Sequence, residues 1–233
     1  MGFEPAIDRR AAVEHIALDD TSWVDLCRRF VPDATTLMHD MLTTVPWRPS
    51  SVFRYEVDLL RRRMEGSLRG IDLPVVRQTG MHLRSRYRRP MEGPGVLLYR
   101  DGSDAIGFHR DRAMRWLDDT LVAIVVLGMP RPFVLRPRTV AVGASSRDVD
   151  LSAGDGDLLV MGGRTQADWL HGVPPHPGAR PRISMTWRWT SRRGRPDDSV
   201  SYGAAVRFGD SGRVGPQRRR AAPQASVPRS NGR

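Results

Sequence analysis

Residues 95–111, GVLLYRDGSDAIGFHRD, carry two short apolar runs around a polar turn. GVLLYR and AIGFHRD read as strands, with Gly102 in RDGSD placed for the reversal between them. Working outward, the same texture continues downstream. TLVAIVVLG from Thr120, RPFVLRP from Arg131, DVDLSA from Asp148, DLLVMGG from Asp157, ADWLHGV from Ala167 and RISMTWRW from Arg182 are each bounded by Gly, Pro, Asp or Ser. Eight strand candidates in under a hundred residues predict an antiparallel sandwich or barrel of jelly-roll type.

Upstream of Gly95 the sequence reads as helices and connectors. Asp33 precedes ATTLMHDMLTTV, where Leu37, Met41, Leu42 and Val45 recur at helical spacing until Pro46 closes the pattern. A second helix is expected around Val57 to Leu68, with Leu59, Leu60 and Met64 among arginines, and a third from about Val76 to Arg88. SWVDLCRRF places Cys27 on the buried side of a further helix, and a single cysteine excludes an intramolecular disulfide. The expected class is mainly β with N-terminal helices (α+β) around a jelly-roll core. The expected organisation is a helical extension over 1–94, a catalytic core over 95–190 and a disordered tail over 191–233.

The chain of 233 residues carries a formal charge of +11 without a single lysine, so every basic side chain counted is arginine. Arginine has a planar fork of donors suited to phosphate and carboxylate. From Ser191 to the end, ten arginines face three aspartates, so most of the excess lies in a segment of Arg, Gly, Ser, Pro and Ala. Such a composition cannot bury enough surface to order itself. Its cluster of Arg218, Arg219 and Arg220 is read first as a solvated charge run, with phosphate contact as the alternative. The N-terminus lacks the apolar stretch of a secretory signal, and no run of about 18 apolar residues exists to span a bilayer. A cytoplasmic, monomeric protein without membrane contact is expected.

Chemistry concentrates in GFHRD. On a strand, His109 and Asp111 would face the same side while Arg110 faces the other. His171 in DWLHGV can supply a third ligand from another strand. Two histidines and a carboxylate on one face of an octahedral ion suit an Fe(II) oxygenase, and tetrahedral zinc is the alternative. A His-x-Asp pair alone is weak evidence. His15, His39 and His82 lie in helical or loop context without a matching carboxylate, and His176 sits in a Pro-rich turn. The last strand adds to the case: by alternation Arg182, Ser184, Thr186 and Arg188 share one face, and Ile183, Met185 and Trp187 the other. Two arginines inside a barrel require anionic partners, and a dicarboxylate would supply one at each end; a polar outer face with solvated arginines is the alternative.

With LLYRDGSDAIGFHRD, IVVLGMPRPFVLRPR, GDGDLLVMGGRTQADWLHGVPP and RPRISMTWR in this order, the chain resembles the AlkB-like dioxygenases dependent on Fe(II) and 2-oxoglutarate. VPWR at Val45 to Arg48 is a weaker likeness. The resemblance implies a double-stranded β-helix in which His109, Asp111 and His171 bind catalytic iron. It implies that Tyr99, Arg182 and Arg188 hold 2-oxoglutarate, with one arginine at each end of it and Ser184 standing where the family often has asparagine. Leu97 replaces another asparagine common in the family. The implied reaction consumes O2 and 2-oxoglutarate and hydroxylates a C–H bond. On an N-methylated base the product loses formaldehyde, giving oxidative demethylation in nucleic-acid repair. The implied partner is alkylated DNA or RNA, single-stranded or with a flipped base. Trp169, Phe108 and Trp47 are read first as core packing and otherwise as stacking walls, and Arg110 and Arg112 are candidate phosphate contacts with surface solvation as the alternative. Ala113 stands where some nucleic-acid members have an acidic residue, which leaves a hydroxylase of a small molecule or protein side chain as the alternative.

Overall fold

The computed structural model describes residues 5–54, 57–111, 114–139 and 148–197. The sequence beyond residue 197, including the Arg218 cluster, and positions Arg112 and Ala113 lie outside the described residues.

All eight strand candidates are strands. In chain order they are β5 (Glu92–Tyr99), β6 (Ile106–His109), β7 (Thr120–Gly128), β8 (Val134–Pro137), β9 (Val149–Asp150), β10 (Leu158–Gly163), β11 (Trp169–Val173) and β12 (Arg182–Thr190). They are preceded by β1 (Val13–Ala17), β2 (Ser22–Cys27), α1 (Ala34–Thr44), β3 (Trp47–Arg54), β4 (Val57–Gly66) and α2 (Pro74–Tyr87), and a short α3 (Thr165–Asp168) leads into β11. The larger sheet runs β1-β2-β10-β7-β12-β5-β4-β3, and the smaller β6-β11-β8-β9. From β5 to β12 the chain passes back and forth between these sheets through antiparallel pairings. This is the double-stranded β-helix of the jelly roll.

The larger sheet buries both faces. Leu121, Ala123, Val125, Leu127, Ile183, Met185 and Trp187 pack on one side with Ala34, Leu37 and Met41 of α1 and Val75 and Leu83 of α2. Val122, Ile124, Val126, Leu159 and Met161 pack on the other with Leu135, Trp169 and Val173 of the smaller sheet and with Phe133 just ahead of β8. The unbroken apolar run of β7 follows directly, since a strand covered on both faces has no polar side to alternate with. Gly102 holds the β5–β6 turn against the chain at His176: a Cβ there would lie 2.0 Å from the His176 carbonyl oxygen.

The N-terminal region departs from the helical expectation. Helix α1 falls where expected, and α2 begins at Pro74, whose missing N–H costs nothing at a helix start. The expected helix over 57–68 is instead the strand β4, paired with β3 on one side and β5 on the other. Cys27 ends strand β2, which lies between β1 and β10. Strand pairing to the core sheet overrides the local spacing in both places. The chain also stays on the body past residue 190: Ser191 donates its N–H to the Asp119 carbonyl at 3.0 Å, and Asp197 its N–H to that of Arg115 at 2.7 Å. Among the described residues, no helix is long and apolar enough to cross a membrane.

Candidate metal centre and cosubstrate pocket

His109 ends β6 and His171 sits in the middle of β11, and the antiparallel register sets them directly opposite each other. Their ring centroids are 4.3 Å apart. Asp111 lies two residues on but beyond the end of β6, so it reaches the same point from the loop rather than by strand alternation. One potential ligand atom from each of the three lies within 4.8 Å of the others, and His109 Nε2 is 3.8 Å from Asp111 Oδ1. Ligands about 2.1 Å from an octahedral ion sit roughly 3 Å apart, so small side-chain rotations close the set around a metal.

The surroundings prepare these donors. The Gly107 carbonyl lies 2.9 Å from His109 Nδ1 and fixes the proton there, which leaves the Nε2 lone pair for a metal. His171 is buried beside Phe133, its ring nearly parallel to that of Phe133 at 5.8 Å between centroids. Burial first, then the neighbouring His109, pushes the His171 imidazole down to about 3, and burial likewise lowers His109. Both rings are therefore in the neutral, ligating form at pH 7. Burial opposes ionisation of Asp111, but the charge and hydrogen bond of Arg188 prevail and hold its carboxyl well below the usual range. Arg188 Nε donates to Asp111 Oδ2 at 2.7 Å.

The expected face of β12 is realised. Arg182, Ser184 and Thr186 are all buried, and the inner-face residue Tyr99 stands opposite Arg182 in the ladder. The Arg182 guanidinium carbon is 5.7 Å from the centre of the Tyr99 ring. Among the described residues, its Nε and Nη1 meet no hydrogen-bond acceptor. A buried cation with unanswered donors is costly unless an anion arrives, so the pocket fits a carboxylate at this end. Arg188, at the other end of the strand, already lies against the metal ligands. Leu97 pairs with Ser184 and packs into the inner core, where an amide would have pointed into the pocket.

The remaining candidates are placed as follows. Arg110 pairs with Asp197 at 2.7 Å. Trp169 is 7% exposed in the inner core, and its Nε1 donates to Asp19 at 2.6 Å. Phe108 carries the Arg136 guanidinium 3.8 Å above its ring. Trp47 belongs to the outer core with the α1 and α2 side chains. His15 pairs with Asp25 and His82 lies against Phe30, both away from the centre.

Three buried polar residues escaped the sequence reading. Gln166, fully buried in α3, accepts the Asp111 N–H at 2.8 Å. Arg63 of β4 is buried, and its charge is felt at His109. Arg131, between two prolines ahead of β8, is 1% exposed. None belongs to a periodic pattern, and the single available signal is that a buried glutamine or arginine must have a reason.

The model of the 2OG-Fe(II) oxygenase superfamily matches residues 75–188, a span that holds all three candidate ligands and both inner arginines. The human protein named alpha-ketoglutarate-dependent dioxygenase alkB homolog 3 is 26% identical over 218 residues, covering 83% of this chain and 76% of its own. The human DNA oxidative demethylase ALKBH2 is 34% identical over 120 residues, covering 50% of this chain and 46% of its own. A solved 2OG-Fe(II) oxygenase from Burkholderia pseudomallei is similar over 70% of this chain and 84% of its own, with a TM-score of 0.44 and 12% identity. The chain is an AlkB-like member of the 2OG-Fe(II) oxygenase superfamily, a dioxygenase that uses Fe(II), 2-oxoglutarate and O2.

Proposed function

We propose that this dioxygenase oxidatively demethylates alkylated bases in DNA or RNA. The observation that carries the reading is the relationship to the alkB homolog 3 and ALKBH2 proteins, which for the former extends over four-fifths of the chain. The centre described above supports it. His109, Asp111 and His171 are the residues that hold the iron, and Tyr99, Arg182, Ser184 and Arg188 those that hold 2-oxoglutarate. Bound there, iron and 2-oxoglutarate supply the oxidising power that hydroxylates a substrate C–H bond.

The chain's own residues position the reactants and exclude water. Arg182 offers its unanswered donors to the distal carboxylate. Arg188 holds Asp111 ionised and faces the metal side of the same pocket. Asp197 pairs with Arg110, the residue between the two β6-side ligands, at 2.7 Å. Phe133 and the inner core close the site behind His171. A methylated base is brought to this site from a single strand or by flipping.

The test is formaldehyde release from methylated single-stranded DNA and RNA by the protein supplied with Fe(II), 2-oxoglutarate and O2. Release that disappears with His109→Ala is the expected result. A protein that converts 2-oxoglutarate to succinate yet leaves a broad panel of alkylated oligonucleotides untouched overturns the substrate reading and leaves the oxygenase chemistry intact.

A further inference from the structure

Tyr99 is flanked by two buried cations. Arg131 and Arg182 are each 1% exposed, and their guanidinium carbons lie 5.5 and 5.7 Å from the centre of the one phenol ring. Neither is ion-paired to a carboxylate among the described residues. Arg131 donates to the carbonyl oxygens of Asp101 at 3.0 Å, Asp104 at 2.8 Å and Pro174 at 3.4 Å, and its Nε meets no acceptor. Backbone carbonyls solvate a guanidinium but do not neutralise it, and the carboxylates that act on the pair, Asp101 and Asp104 on Arg131 and Asp157 on Arg182, do so from beyond ion-pair distance. Burial first pulls Arg182 down to about 10, Tyr99 opposes this, and the charge of Arg131 adds to the fall, yet both arginines remain charged at pH 7.

A tie between loops would account for the three carbonyl contacts. It does not account for this cation lying beside a second one, since neither guanidinium is within ion-pair distance of a carboxylate among the described residues. The feature that turns the repulsion into a benefit is an anion between or beside the two charges. We propose that Arg131 is a positioning residue of the cosubstrate pocket, a second buried cation that through Tyr99 and Arg182 makes the pocket select a distal carboxylate. This rests on the reading of Arg182 as the residue that meets that carboxylate. Arg131 need not touch 2-oxoglutarate: it holds the β5–β6 turn beside Tyr99 and raises the positive potential that the distal carboxylate enters.

The test compares 2-oxoglutarate with 2-oxopentanoate, which has the same chain length and a methyl group in place of the distal carboxylate. Binding of each is measured by calorimetry on the full chain loaded with Mn(II) and kept free of oxygen, so no turnover is needed. Arg131→Gln keeps donors for the carbonyls and removes the charge, and Arg131→Met removes both. Both variants are expected to weaken 2-oxoglutarate by about tenfold, the effect of one nearby charge at intermediate dielectric, while 2-oxopentanoate changes less than twofold. Equal weakening of both ligands, or no change in either, overturns the proposal and leaves Arg131 as a loop tie. Should Arg131→Met melt far below the parent, Arg131→Gln decides alone. Arg182→Met is the control: if it retains the preference for the dicarboxylate, the reading of Arg182 fails, and this is distinguishable from a failure confined to Arg131.

Discussion

Replacing Gln166 with methionine isolates the support behind one metal ligand. Gln166 is fully buried, its side-chain oxygen accepts the Asp111 N–H at 2.8 Å, and its amide nitrogen has no partner among the described residues. Methionine fills much the same volume. It removes an acceptor, which costs about 1–3 kcal/mol by leaving the Asp111 N–H buried and unanswered. It also removes an unsatisfied buried amide nitrogen, which returns a comparable amount. Net stability of the metal-free chain should therefore move by less than about 1 kcal/mol, because the two effects oppose each other. The metal centre has no such compensation, since Asp111 lies beyond the end of β6 and no ladder bond fixes its backbone. Loss of a partner that orients a ligand typically lowers metal affinity about 10–100-fold. The assay is competition for Co(II) or Mn(II) against a chelating dye, beside thermal melting of the metal-free variant. A variant that melts several degrees lower but binds metal as the parent does would show that Gln166 supports the fold and not the ligand, and would refute the reasoning.

Two further outcomes follow from contacts outside the centre. Truncation after Thr190 removes the Asp197 carboxylate from Arg110 and two backbone hydrogen bonds from the body, which should cost about 1–3 kcal/mol as a part-buried charged contact is lost. Truncation after Asp197 should leave the melting temperature of the parent unchanged, and equal melting of the two truncations would count against the anchor. Cys27 is buried, and burial raises its thiol to about 11. Because a raised value suppresses the reactive thiolate at every pH below it, alkylation by iodoacetamide at pH 8 should require unfolding and should accelerate only as the pH nears that value. Rapid labelling of the native protein at pH 8 would contradict the packing around β2.

The downstream half of the fold was legible because its strands are short, apolar and bounded by turn residues, and all eight were found. The upstream half was not. In β4, Met64 packs into the outer core while Arg63 is buried with its charge felt at His109, an alternation that a run of arginines conceals. In β2, SWVDLC is buried at nearly every position because Val24 and Leu26 pack into the inner core while Trp23 and Cys27 pack into the outer one, so it shows no period of two. That His109, Asp111 and His171 come together was legible from residue type and order. The route by which Asp111 arrives was not, since the chain leaves the strand at Arg110 and periodicity ends with it. Gln166 and Arg131 could not be found by pattern at all: each is a polar residue in a loop or a single helical turn, and only tertiary burial distinguishes it from a solvated neighbour.

The position of His109 on β6 has a consequence beyond chemistry. β6 holds four residues, lies at the edge of the smaller sheet and pairs with β11 through a shifted register. A strand so short clings weakly to its neighbour, and a metal held by both His109 and His171 would act as a rivet across the seam. Stripping the ion with a chelator frees the seam to open and bares the hydrogen-bonding rim of β11 to strands of other molecules. Metal-depleted preparations should therefore cloud or self-associate before they unfold, and an ion at this seam would then serve association as well as chemistry.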